Sequence, residues 1–163
     1  MTVALVLVAL FAVLSLPPLR RLRFLSSRPD RAALAAAGFF VLTGSSHFLM
    51  PETFDRMIPP FMPGPARAWT LLSGVLEILG GVGLAWWRTR RLAGLGLILL
   101  LFAILPANIH VALSALQLPE LPYPRWYFWV RIPFQLFYVV WVAWAAGLGA
   151  QLRRGRRALS API

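Results

Sequence analysis

One carboxylate, Glu77, sits near the middle of the otherwise apolar run PARAWTLLSGVLEILGGVGLAWW. An ionisable group at bilayer depth is costly, so it faces a bundle interior and has a partner or a task there. Residues able to meet it stand on other apolar runs: His47, Asn108, His110, Arg131, Gln135 and Tyr138. Arg131, Gln135 and Tyr138 recur at helical spacing and share one face. Thr70, Ser73, Gly74, Glu77 and Gly81 form a small polar stripe, and Phe40, Gly44 and His47 share a third face. Asn108 and His110, two residues apart, point in opposite directions on an ideal helix. The chemistry open to such a set is hydrogen bonding and proton transfer. His110, Arg131 and Asn108 could donate to ligand oxygens, and Glu77 could relay a proton.

Helical rise converts spacing into depth. Glu77 lies about 15 Å beyond Arg67, His110 about 12 Å before the break at Leu118-Pro119, Arg131 about 9 Å beyond Arg125, and His47 about 6 Å before Pro51. Four runs thus place ionisable groups in the outer half of the membrane, and the inner half holds almost none. This asymmetry points to a polar pocket opening outward. Pro106 and Pro133 each remove a backbone donor, and the freed carbonyls need partners that a polar cavity supplies.

Each candidate also has a plainer reading. Glu77 could be a structural ion pair with Arg131, or a protonated carboxyl hydrogen-bonded between helices. His47 is close enough to the interface to be simply wetted. His110 fits a helix–helix hydrogen bond as well as a site, Asn108 fits interhelical glue better, and Gln135 and Tyr138 fit either. A metal site from His47, Glu77 and His110 has suitable ligand types. The roughly 9 Å difference in depth between His47 and Glu77 argues against it, so no metal is expected. The connection PETFDRMIPPFMPGPAR, with Pro51, Pro59, Pro60, Pro63 and Pro65, favours extended, stiff backbone. Its Phe54, Met57, Ile58, Phe61 and Met62 would keep it at the membrane surface, as a lid over the pocket or as an interfacial anchor.

The elements that must position these residues follow from composition. With 60% hydrophobic and 13% charged residues among 163, and a mean hydropathy of +0.74, the chain reads as an all-α, polytopic membrane helical bundle. Five apolar stretches, 2–19, 32–50, 66–87, 92–116 and 126–148, each approach the ~20 residues needed to cross a ~30 Å core. The first lacks the basic flank and cleavage site of a signal peptide and reads as a retained helix. The chain divides into an N-terminal helix with its basic connection (1–31), a four-helix core (32–150) and a basic tail (151–163).

All 16 basic residues are arginine, and the net charge is +11. Nucleic acid is not the expected partner, because the arginines cluster at span ends. Arg20, Arg21, Arg23, Arg28 and Arg31, then Arg88, Arg90 and Arg91, then Arg153, Arg154, Arg156 and Arg157 mark alternate connections as cytoplasmic. The N-terminus is then outside and the C-terminus inside. With Cys at 0, no thiol redox chemistry comes from this chain itself.

The runs GSSHFLMPETFDRMIPPFMPGP, SGVLEILGGVGL, RRLAGLGLILLLFAILPANIHVAL and RIPFQLFYVVWVAW resemble the DoxX-like family of small bacterial membrane proteins. The resemblance spans residues 38–144 and rests on His47, Pro51, Pro59, Pro63, Gly74, Glu77, Pro106, Asn108 and Gln135. It implies a compact four-helix core, with the first helix an addition. Better-known relatives include the small subunit of a thiosulfate:quinone oxidoreductase and membrane partners of thiol or superoxide detoxification enzymes. The expectation is therefore a bacterial inner-membrane accessory subunit of a redox or quinone-linked system. A quinone would lie in the outer-half pocket, walled by Phe102, Phe128 and Phe134. Electrons would come from a redox partner protein, because the chain has no haem motif, flavin fingerprint or Cys. The competing expectations are a non-catalytic scaffold or assembly factor, and a permeation protein for small molecules or protons. Gly94 with Gly96, or Gly147 with Gly149, could dock a partner helix, and a homo-oligomer is compatible with either. The resemblance leaves open whether any reaction is catalysed.

Overall fold

The computed structural model describes residues 2–22, 25–114 and 125–149. These form α1 (Thr2–Leu14), a 3-10 turn (Leu19–Arg21), α2 (Arg28–Leu49), α3 (Pro51–Asp55), α4 (Ala66–Ala85), α5 (Arg90–Ser114) and α6 (Arg125–Ala145), with no strand among the described residues. The helices α2, α4, α5 and α6 are long and apolar enough to cross a membrane, and the chain is a membrane protein. The expected break at Leu118-Pro119, Glu120 and the basic tail lie outside the described residues.

Local chemistry sets the boundaries. The Ser27 hydroxyl caps α2 by accepting from the Asp30 amide at 3.2 Å, and Pro29 occupies the first turn. The first apolar stretch does not run to residue 19 as expected. Pro17 and Pro18 cannot continue a helix, and α1 ends at Leu14. Its 13 residues rise only about 20 Å, short of a ~30 Å core. The proline-rich connection is also not simply extended. Pro51 is pre-set for the first turn of a helix, so the chain leaves α2 and immediately forms α3. Turns follow, with Gly64 in the left-handed region at φ 82°. The connection is tied down where Arg67 Nε donates to Asp55 Oδ2 at 2.8 Å and Trp69 Nε1 donates to the Pro63 carbonyl at 2.8 Å.

The seam between α2 and α4 brings two backbones into direct contact. A Cβ on Gly44 would lie 2.8 Å from the Gly74 carbonyl oxygen, and one on Gly81 would lie 2.9 Å from that of Ala37. The two backbones touch because these positions carry no side chain. Gly44 facing Gly74 and Ala37 facing Gly81 is an antiparallel register, and it fixes how the polar faces meet. The main core packs Leu7, Ala35, Ala36, Phe39, Phe40, Leu84, Leu97, Leu101 and Val142, and a smaller cluster around Met57, Val111, Tyr127 and Phe128 lies beneath α3.

At the end of the bundle away from α3, Arg90 pins two helices. Its Nη1 reaches Asp30 Oδ1 at 2.6 Å and its Nε donates to the Leu84 carbonyl at 3.1 Å. Beside it, the buried Arg31 donates to the Leu25 carbonyl at 2.7 Å. Arginines read from sequence as orientation signals thus also hold the fold together.

Candidate functional site

A cavity of about 320 Å³ opens at the α3 end, with walls from α2 through α6. Six of the seven candidates line it: His47, Glu77, Asn108, Arg131, Gln135 and Tyr138. His110 does not. It lies half-buried on α5, outside the lining. Its position two residues after Asn108 turns it away, as the helical period requires. Among the described residues no three His, Cys, Asp or Glu side chains gather as a metal site.

Asn108 and Gln135 form a satisfied group. Asn108 Nδ2 donates to Gln135 Oε1 at 2.8 Å, and Gln135 Nε2 donates to the Leu101 carbonyl. Pro106 sits inside α5 and cannot donate to the carbonyl one turn earlier. The Gln135 amide therefore reaches backbone beside a weakened stretch of helix, clamping α6 onto α5. This favours the interhelical-glue reading for Asn108, with the two amides forming a fixed wall of the cavity.

His47 is oriented from behind. Its Nδ1 lies 3.0 Å from the Thr70 carbonyl oxygen, which can only accept, so this nitrogen carries the hydrogen. The Ser73 hydroxyl lies 3.1 Å from the same nitrogen and donates to the same carbonyl at 2.9 Å. Phe54 of α3 stacks on the ring, with centroids 3.9 Å apart and planes 18° from parallel. Nε2 is thereby aimed at Glu77, with 3.7 Å between it and Oε1. That is beyond a hydrogen bond and within reach of an ion pair.

The depth estimate that separated these two residues holds for backbone and fails for side chains. The Gly44–Gly74 register does put Glu77 about six residues, or ~9 Å, deeper than His47. Side chains on a helix lean toward its N-terminus. In antiparallel helices that lean carries His47 inward and Glu77 outward, and the two meet. His47 is buried, not wetted at the interface.

Glu77 is buried and incompletely satisfied, as is Thr70, which also lines the cavity and whose hydroxyl has no hydrogen-bond partner among the described residues. The Glu77 side chain is 9% exposed, and its Oε2 is buried with no hydrogen-bond partner among the described residues. The Thr43 hydroxyl is close by but donates to the carbonyls of Phe39 and Phe40 at 3.2 and 3.3 Å. The direct ion pair with Arg131, one of the two plainer readings, does not form among the described residues; His47 is within ion-pair range of Glu77, at the long distance above, and carries a charge only when protonated. Arg131 lines the same cavity and is faced by Tyr127, Tyr138 and Glu77. A guanidinium and a carboxylate thus border one space without closing on each other. Buried polar groups in native proteins are nearly always paired, so an orphaned carboxylate oxygen needs an explanation.

The walls are aromatic. Phe39, Phe40, Phe54 and Phe134 join Tyr138 around the polar groups. Of the three expected wall residues only Phe134 lines the cavity; Phe102 is 55% exposed on the outer surface, and Phe128 packs into the cluster beneath α3. The volume is at the lower edge of ligand pockets, roughly 300–1,000 Å³. An apolar enclosure with a cation, a carboxylate and fixed amides suits a flat, amphipathic molecule with polar atoms at its edge.

Sequence reasoning missed Thr43, Ser46 and Thr53, which also line the cavity. For Thr43 and Ser46 the signal was present, since they share the helical face of Gly44 and His47. For Thr53 it was absent, because it depends on α3 folding back over the bundle. Met57 and Ile58 complete that cover.

The family model described as Domain of unknown function (DUF8561) matches residues 36–146, and the chain belongs to that family. The matched segment starts within α2 and ends just after α6, leaving α1 outside it. No curated protein and no solved structure matches the chain.

Proposed function

We propose that this member of the DUF8561 family is an accessory subunit of a redox-linked membrane system, and that its cavity holds a quinone head group. The observation that carries the reading is that Glu77 Oε2, buried without a hydrogen-bond partner among the described residues, and Arg131 border one aromatic-walled cavity. A quinone ring fits between aromatic side chains. Its oxygens need a donor, which Arg131 supplies, and its reduction needs protons, which the Glu77–His47 pair is placed to pass. The chain has no Cys, so electrons come from a partner protein in this reading. The DoxX-like resemblance supports the redox assignment and a bacterial inner-membrane location. The arginine-rich ends support a cytoplasmic C-terminus and, with it, a cavity in the outer half, with α1 as a partial fifth helix.

The scaffold reading draws on the satisfied Asn108–Gln135 clamp, which shows that polar groups in this bundle also serve packing. Quinone content separates the two. Protein extracted gently from native membranes is analysed by mass spectrometry beside Glu77→Gln and His110→Ala. The proposal expects near-stoichiometric quinone in the wild type and in His110→Ala, and its loss in folded Glu77→Gln. Quinone absent from all three, or retained in Glu77→Gln, would overturn it.

A further inference from the structure

A second, larger hollow lies outside the cavity, between α4 and α5. It is an apolar groove of about 810 Å³ running from Leu76 to Trp86 along α4, about 15 Å of helix. We propose that this groove is a binding site for an anionic phospholipid, with an acyl chain along the groove and the head group at Arg88 and Arg91.

The charge at its mouth selects the head group. The connection from α4 and the first turn of α5 together carry Arg88, Arg90 and Arg91 and no acidic residue. Arg90 is committed to Asp30 and the Leu84 carbonyl. Arg88 lies over the Trp87 ring, 5.1 Å from its centroid, and Arg91 is exposed; neither forms an ion pair among the described residues. Trp86 and Trp87, 62% and 71% exposed, mark this end as the level of the lipid head groups. Two uncompensated cations at that level attract an anionic head group.

The shape selects a chain over a helix. Glycine faces that dock helices present their missing side chains outward. Here Gly80 and Gly83 are turned toward α5, where an added Cβ would meet Leu97 at 2.5 Å and the Ala93 Cβ at 2.7 Å. Their small size serves the α4–α5 seam. The outer walls are long side chains, with Leu79 and Leu99 62% and 69% exposed. Gly96 is different. It lines the groove, and an added Cβ would have nothing within 4 Å. A glycine inside a helix with no packing neighbour carries a propensity cost that the fold itself does not require. An occupant of the groove accounts for it.

The test reconstitutes the protein in nanodiscs of equal parts phosphatidylglycerol and phosphatidylethanolamine and reads retained lipid by native mass spectrometry. The wild type should retain phosphatidylglycerol in preference. Arg88→Gln with Arg91→Gln should retain lipid without that preference, a loss of about fivefold for each arginine. Gly96→Leu, which fills the groove without a clash and favours the helix, should retain neither lipid. Retained lipid matching the bulk mixture in the wild type would overturn the proposal. So would a preference unchanged in folded variants, or a dimer that Gly96→Leu abolishes.

Discussion

Two regions of this bundle treat their charges in opposite ways. At the end away from α3, Arg90 meets Asp30 at 2.6 Å, Asp30 also accepts from Ser27, and Arg31 donates to a carbonyl through Nη1, with its Nε left without a partner among the described residues. In the cavity at the α3 end, Arg131 and Glu77 border the same space and stay apart, and one Glu77 oxygen has no partner among the described residues. The first region shows that this fold can pair an arginine with a carboxylate when stability is the purpose. The second therefore calls for a different purpose, and the proposed ligand would supply one. The Asn108–Gln135 clamp lies on the cavity wall but behaves like the first region, its donors satisfied within the protein.

Substitutions can break or sharpen this contrast. The largest effect is expected at the α2–α4 seam that carries both regions. A Cβ on Gly74 would sit 2.8 Å from the His47 Cβ and 3.0 Å from the Gly44 carbonyl oxygen. Gly74→Leu should cost about 3 kcal/mol or more, read as lost accumulation and a lowered unfolding midpoint in detergent. Asp30→Ala should cost about 2 kcal/mol, because it strips a charged hydrogen bond and leaves Arg90 with only a carbonyl. Gln135→Leu should cost about 1 kcal/mol, typical of an interhelical hydrogen bond in a membrane protein. The smallest effect is expected at Glu77→Gln. The contact with His47 is long, at 3.7 Å, and a glutamine can still accept from Thr43, so the change should shift stability by less than about 0.5 kcal/mol while abolishing ligand retention. A Glu77→Gln that unfolds like Asp30→Ala would erase the distinction between the two regions.

Much of the site was legible in the sequence because helical period is a strong signal. The faces of Phe40, Gly44 and His47, of Thr70, Ser73, Gly74 and Glu77, and of Arg131, Gln135 and Tyr138 all turn inward toward the seam and cavity. The period also held the reason His110 stays out, since it and Asn108 were expected on opposite sides. What it could not hold was contact between elements. The meeting of His47 with Glu77 depends on the opposite lean of side chains on antiparallel helices, which no single segment encodes. The cover over the cavity depends on Pro51 starting a short helix, where proline density suggested extended chain. The early stop of α1 was written in Pro17 and Pro18, but the hydropathy of the whole stretch outweighed it. The separation of Glu77 from Arg131 was beyond any spacing argument, because rotation about each helix axis is set by packing.

The claim that Glu77 and Arg131 are held apart for a ligand is tested most directly by a double-mutant cycle on stability, with Glu77→Gln, Arg131→Gln and the double variant unfolded in detergent without added ligand. Groups that do not pair give single-variant effects that add within about 0.5 kcal/mol, and that is the expected result. A coupling of about 1.5 kcal/mol or more would mean that the two charges stabilise each other in the resting protein, and it would make Glu77 a structural residue.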